Sequence, residues 1–107
     1  MFINAVNNKL SSKNFQSFSF EIGGTYIHDK GYHFVKDDPS IIFGHPGFEN
    51  PNEFRYLEVE PLEEPYEPYN DGTYIARKIK IIREIPIGEI RVMTKNKGWF
   101  NQNNDGS

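Results

Sequence analysis

His28 and His33 are the residues whose type could bind a metal ion. The segment 29–31 between them, Asp-Lys-Gly, predicts the turn of a β-hairpin. In such a hairpin His28 lies opposite Tyr32, and His33 points to the other face of the sheet. The two imidazoles then do not converge, so we expect no metal site.

Other catalytic patterns are also missing. The chain has no cysteine and no Gly-x-Ser-x-Gly elbow, and Gly23-Gly24 is not followed by the lysine of a phosphate-binding loop. Glu58 and Glu60 lie two apart in a predicted strand, and hence on one face, where two acids could do acid–base work. Acids on an exposed strand face are more often a solvated surface. We therefore predict no catalytic residue, no metal and no organic cofactor.

The hydrophobic pattern predicts an α+β fold, mostly an antiparallel β-sheet with one short helix. Asp38 and Pro39 are typical of a helix start, and Gly44 of its end. Residues 75–85 fit both helical and strand spacing, and β-branched isoleucines favour the strand. The predicted strands are 1–6 (as an edge strand), 18–22, 25–28, 32–35, 54–60 and 74–85.

The predicted core contains the apolar residues that alternate along these strands and one helical isoleucine. Its members are Phe18, Phe20, Ile22, Tyr26, Phe34, Ile42, Leu57, Val59, Ile79 and Ile81. The chain has 107 residues, enough for one ordinary domain. We expect residues 1–94 to form it and residues 95–107 to be a polar, disordered tail.

Charge is distributed unevenly along the chain. Residues 49–71 contain eight acids and one base, whereas residues 77–97 contain seven bases and two acids. One interpretation is that the two segments neutralise each other across a sheet. The other is a separate acidic surface that meets a basic partner.

Two candidate binding surfaces follow from this distribution. The first is acidic, with two tyrosines as anchors, and comprises Glu58, Glu60, Glu63, Glu64, Glu67, Asp71, Tyr66 and Tyr69. The second is a basic strand face that could grip nucleic acid, and comprises Arg77, Lys78, Lys80 and Arg83. Lysines that prevent strand aggregation explain the basic face equally well.

Several segments in order resemble a small domain of unknown function found in phage and prophage genomes, often near pentapeptide-repeat proteins. The matching segments, within residues 16–90, are Ser17–Tyr26, Gly31-Tyr32-His33-Phe34, Asp38-Pro39, Arg55–Glu60 and Lys78–Ile85. The family pattern has a Cys-Arg-Gly and a further cysteine where this chain has residues 14–17 and Val35. The resemblance implies a mobile-element origin and a compact β-rich fold, and it implies no known activity.

Gly31-Tyr32-His33-Phe34 also resembles one strand of small ADP-ribosyltransferase-like domains. In that case, the strand containing Glu58 and Glu60 would supply the acidic residue.

The functional expectation is a non-catalytic, phage-derived binding module. Its partner is expected to be a protein, such as a host nuclease or another defence factor that the module inhibits in the manner of an anti-CRISPR protein. The alternatives are an ADP-ribosyltransferase-like enzyme and a nucleic-acid-binding accessory protein. With no apolar run of the roughly 18 residues that span a bilayer, we expect no membrane partner and a location in the host cytoplasm.

Overall fold

The computed structural model describes residues 1–7, 21–45, 47 and 50–94. Within them, four antiparallel strands close into a barrel in the order β1-β2-β4-β3. The strands are β1 (Phe2–Asn7), β2 (Thr25–Lys36), β3 (Phe54–Pro61) and β4 (Thr73–Ile85). The helices are α1 (Ser40–Phe43), a 3-10 turn (Pro51–Glu53) and α2 (Ile87–Thr94). The predicted class, a mostly antiparallel sheet with a short helix before residue 44, is confirmed.

The isoleucine-rich segment is a strand, as its β-branched content predicts. Ile79 and Ile81 are fully buried, whereas the residues that alternate with them, Lys78 and Lys80, are exposed. This alternation is the period of two that places one face of β4 inside the barrel and the other in solvent.

Two hydrophobic clusters lie on opposite sides of the barrel wall. The interior cluster comprises Phe34, Leu57, Val59, Ala76, Ile79 and Ile81. The outer cluster lies under the two helices and comprises Ile3, Val35, Ile42, Phe43, Tyr56, Ile85 and Ile90. Strands β2, β3 and β4 contribute buried residues to both clusters, because neighbouring residues such as Phe34 and Val35 point to opposite faces.

The seam between β1 and β2 is short. Among the described residues, the two strands pair only at Phe2 with Lys36 and at Ile3 with Val35. Where the ladder stops, the buried Asn4 side chain donates through Nδ2 to the carbonyl of His33, at 2.6 Å. The side chain thus satisfies a backbone acceptor that no strand reaches.

The predicted hairpin at residues 29–31 is wrong. Strand β2 is continuous, and it pairs with β4 on both sides of a bulge in which residues 28–31 lie opposite Arg77 alone. Gly31 has φ +89° at this bulge. A glycine with positive φ serves a bulge as well as a turn, so the Asp-Lys-Gly signal does not distinguish them.

Three further predictions need correction. Strand β1 is not an edge strand, because it pairs with both β2 and β3. Ile22 is not in the core: it lies in a turn closed by a hydrogen bond from Gly24 N–H to Glu21 O, and its side chain is 60% exposed. Helix α2, directly after Pro86, has no counterpart among the elements predicted from sequence.

Of the other predicted core residues, six are buried, one is partly buried and two are outside the described residues. Phe34, Ile42, Leu57, Val59, Ile79 and Ile81 are buried. Tyr26 is partly buried, packed against the interior cluster. The described residues do not include positions 18–20 of the predicted strand 18–22, which contain Phe18 and Phe20. They also do not include the predicted tail 95–107.

Helix α1 begins as the sequence predicts. A carboxylate oxygen of Asp38 accepts from the backbone N–H of Ser40, at 3.0 Å, and from its hydroxyl. Pro39 is buried in helical conformation directly before the first residue of α1. The turn formed by Asp38 and Ser40 places α1 directly after β2, where Ile42 and Phe43 join the outer cluster.

The bulge glycine provides a stability test with a matched control. A Cβ on Gly31 would overlap Ile75 Cγ2, whereas a Cβ on Gly47, also at φ +89°, would meet no atom of the described residues within 4 Å. We expect Gly47→Ala to lower the free energy of unfolding by about 1 kcal/mol and Gly31→Ala by roughly 2–4 kcal/mol. Urea denaturation measures both, and equal losses would contradict the close approach at the bulge.

Candidate binding surface

The acidic loop, residues 62–72, is held against the edge of β4. Strand β3 ends at Pro61, opposite Ile79, but β4 extends back to Thr73. Leu62 N–H donates to Lys78 O at 2.8 Å, and Tyr66 and Ile75 exchange both backbone hydrogen bonds at 3.0 and 2.8 Å. The loop therefore continues the ladder that β3 leaves unfinished.

One loop carboxylate takes part in the same pairing. Glu63 Oε2 accepts from the backbone N–H of Arg77 at 2.8 Å, and it lies 3.7 Å from Arg77 Nε. The contact with the Arg77 N–H is a charge-assisted hydrogen bond, and without it this backbone donor would face solvent. Glu63 thus has a structural role as well as a charge.

The end of the loop is fixed by two further acids. Glu67 Oε2 accepts from Gly72 N–H at 2.7 Å, and Asp71 Oδ1 accepts from Thr73 N–H at 2.9 Å. The second hydrogen bond lowers the pKa of Asp71 below its ordinary value. Gly72, at φ +88°, lies against Ile41 of α1, where a Cβ would be 2.7 Å from the isoleucine Cδ1. The end of the loop therefore packs closely against α1.

His45, the residue after the C-cap Gly44 of α1, contacts this end of the loop. Its Nε2 lies 3.1 Å from Thr73 Oγ1 and 3.9 Å from Asp71 Oδ2. Both contacts use the same ring nitrogen, so the arrangement is not the relay of a nucleophile, a base and an orienting acid.

The loop exposes apolar side chains although its backbone is fixed. Leu62, Tyr66 and Tyr69 are 40%, 55% and 67% exposed. Glu64 between them is exposed and makes no ion pair with any described residue. Fixed, exposed tyrosines are typical of the anchors of protein interfaces.

The other predicted acids lie on β3 and face β4. Glu58 pairs with Arg83, whose Nε donates to Glu58 Oε1 at 2.8 Å. The remaining guanidinium nitrogens of Arg83 bind both oxygens of Glu89 on α2, at 3.1 and 2.7 Å. Glu60 lies across from Lys80 in the register of β3 and β4. Charge is thus partly neutralised across the sheet, and Arg83 connects β3, β4 and α2.

The basic residues Lys78 and Lys80 lie on the outer side of the barrel, on what we call the sheet face. It consists of two rows across β2, β4 and β3, Ile27–Lys78–Leu62 and Thr25–Lys80–Glu60. Ile27 is 67% exposed. The face adjoins the acidic loop through Leu62, so the structure brings the two surfaces predicted from sequence together. The other two basic residues predicted for this surface are already paired: Arg77 contacts Glu63, and Arg83 binds Glu58 and Glu89.

The histidines do not form a metal site with other described residues. His28 lies in the bulge, where its Nδ1 accepts from Lys30 N–H at 3.1 Å and its ring contacts Tyr32 edge-on. His33 is exposed and pairs with Ile75. The described part of the chain contains no group of three His, Asp or Glu side chains arranged to hold a metal ion.

No family model matches the chain, and neither a curated protein nor a solved structure shows significant similarity to it. Among the helices of the described residues, none is long and apolar enough to cross a membrane.

Sequence reasoning found the charged and aromatic loop residues but missed the exposure of Ile27 and the docking of the loop on β4. The first follows from the alternation of β2, in which Ile27 and Tyr26 point to opposite sides. The second has a signal in the unequal strand lengths, eight residues in β3 and thirteen in β4.

Two ion pairs of β4, Arg55–Glu84 with β3 and Arg83–Glu89 with α2, predict acid sensitivity. Hydrogen bonds from Arg55 lower the pKa of Glu84, and hydrogen bonds from Arg83 lower the pKa of Glu89. A lowered folded-state pKa stabilises the fold above the ordinary glutamate pKa of about 4.3, and this stability is lost as pH falls through the folded value. Glu84→Gln and Glu89→Gln should each flatten the decline in urea-unfolding free energy below that pH. An unchanged acid profile in both variants would contradict the pairing.

The loop contacts predict where local opening begins. Glu67→Ala removes the acceptor of Gly72 N–H, so we expect this amide to exchange with solvent about tenfold faster. Glu64→Ala, which removes an exposed carboxylate of the same loop, is the control and should leave the exchange unchanged. Amide exchange followed by NMR measures both. Equal exchange at Gly72 in the two variants would show that Glu67 does not fasten the loop.

Proposed function

We propose that this chain is a non-catalytic binding module whose acidic loop contacts a protein partner. The observation that carries the proposal is the combination of a loop backbone hydrogen-bonded to β4 with tyrosine and leucine side chains exposed to solvent. Pairing with β4 accounts for the ordered backbone, but it does not require Leu62, Tyr66 and Tyr69 to be exposed.

The fixed backbone supports binding energetically. Ordering a mobile loop in a complex consumes part of the interaction free energy, and a loop already held by hydrogen bonds avoids that cost. Tyr66 lies within the β4 pairing itself, and Tyr69 lies between Pro68 and Asn70, which has φ +54°. Tyrosine adds a large contact area at a small loss of side-chain entropy.

Charge favours a basic partner. The loop contains Glu63, Glu64, Glu67 and Asp71 and no lysine or arginine. Three of these carboxylates hold the loop together, and Glu64 makes no ion pair within the described residues, so we assign it the direct contact. A basic groove of a host nuclease or another defence factor has this complementarity, consistent with a phage-derived inhibitor acting in the host cytoplasm.

The transferase-like alternative receives less support, because Glu58 is bound to Arg83 and Glu60 is exposed opposite Lys80. Direct nucleic-acid binding is favoured by one observation, the exposure of Lys78 and Lys80. The other members of the two rows are Ile27 and Leu62 beside Lys78, and Thr25 and Glu60 beside Lys80. None is an aromatic ring on which a base could stack.

Affinity capture from host lysate, with and without nuclease, tests the proposal. We expect a protein partner to be captured under both conditions, and capture to fall at least about tenfold in Tyr66→Ala/Tyr69→Ala and severalfold in Glu64→Ala. Glu63 and Glu67 are unsuitable for this test because they hold the loop. Val92→Ala is the control, since Val92 is as exposed as Tyr69 but lies on α2.

Two results would contradict the proposal. Capture that survives the tyrosine replacements would show that the loop is not the contact. Capture that disappears with nuclease, and with Lys78→Ala/Lys80→Ala, would assign the function to nucleic-acid binding.

A further inference from the structure

Two exposed side chains of opposite charge lie in neighbouring parts of the chain at the edge of β4, and neither makes an ion pair with a described residue. Glu64 is in the acidic loop, and Lys78 is in the sheet face. They are close along β4, because Leu62 N–H bonds Lys78 O and Glu63 bonds Arg77 N–H. Each is nevertheless more than 4 Å from an opposite charge within the described chain.

Exposed apolar side chains flank both charges. Lys78 lies between Ile27 and Leu62 in its row, and Glu64 lies between Leu62 and Tyr66 along the loop. A surface that holds an acid and a base side by side within an apolar border is complementary to its own copy. A two-fold axis between the charges places each acid on the other copy's base.

We propose that two copies of this chain associate through this side of the barrel, with Glu64 of each copy against Lys78 of the other. Ile27, Leu62 and Tyr66 form the apolar contacts around the two ion pairs. The contact is isologous, so it closes with two copies and does not extend into a fibre.

The interface is expected to be weak. Its apolar anchors are few, and stable dimers of ordinary size bury roughly 800 Å² per copy. The dimer covers the acidic loop, so it excludes any partner bound there. It does not depend on the proposed function, because the protein alone is sufficient to form it.

Sedimentation equilibrium of the purified chain over a range of concentrations tests the dimer. Lys78→Glu places two acids together at each contact, and Glu64→Lys places two bases together. We expect each variant to raise the dimer Kd by about tenfold or more. Lys36→Glu, which reverses a lysine at the other end of β2, is the control and should leave the Kd unchanged.

Mixing the two variants gives a further test. In a heterodimer of Lys78→Glu with Glu64→Lys, both contacts again join opposite charges, so we expect association to return to the level of the unaltered chain. A chain that stays monomeric at all concentrations overturns the proposal. So does a dimer that the two reversals leave unchanged, or a mixture that fails to restore it. These results come from the purified chain alone, so they decide on the dimer whether or not a partner is captured.

Discussion

The edge of β4 between Thr73 and Lys78 is the constraint on which the surface of this molecule depends. β4 runs beyond the end of β3, so the backbone donors and acceptors of this segment need partners that β3 does not supply. The acidic loop supplies them, through Leu62 and Tyr66 main chain and the Glu63 side chain. A buried or half-buried edge without partners would be costly and open to association with other strands. The loop is therefore ordered by the sheet, and its tyrosines point outward as a consequence.

Side chains and irregular pairing also supply hydrogen-bond partners at the other strands. Asn4 reaches the His33 carbonyl where the β1–β2 ladder ends, and the 28–31 bulge lets β2 pair with β4 on both sides of an irregular segment. Arg83 binds one glutamate of β3 and one of α2. Asn4 and the glycine of the bulge thus compensate for irregular strand pairing among the described residues, and Arg83 joins β3 and α2 to β4 by ion pairs.

The sequence allowed the strand class, the buried isoleucines of β4 and the capped start of α1 to be predicted, because alternation and capping are local signals. It did not allow the continuity of β2 to be predicted, since a glycine with positive φ fits a turn and a bulge alike. The candidate surface was half predicted. The acids and tyrosines of residues 58–71 were visible as a charged, aromatic segment. The sequence did not show which of these carboxylates already accept a hydrogen bond within the fold. Glu58 accepts from Arg83, Glu63 from Arg77 N–H and Glu67 from Gly72 N–H, and these contacts depend on how the strands and the loop pair.

The central claim is that the loop backbone is part of the sheet and that its exposed side chains are held in place by it. Amide hydrogen exchange of the unaltered protein measures this at Tyr66, whose N–H donates to Ile75 O at 3.0 Å. The Tyr66 and Ile75 amides should exchange as slowly as the amides of the β3–β4 ladder. Exchange of Tyr66 at the rate of an unstructured peptide, with Ile79 and Ile81 still protected, would show that the loop is not attached to β4 and would contradict the account.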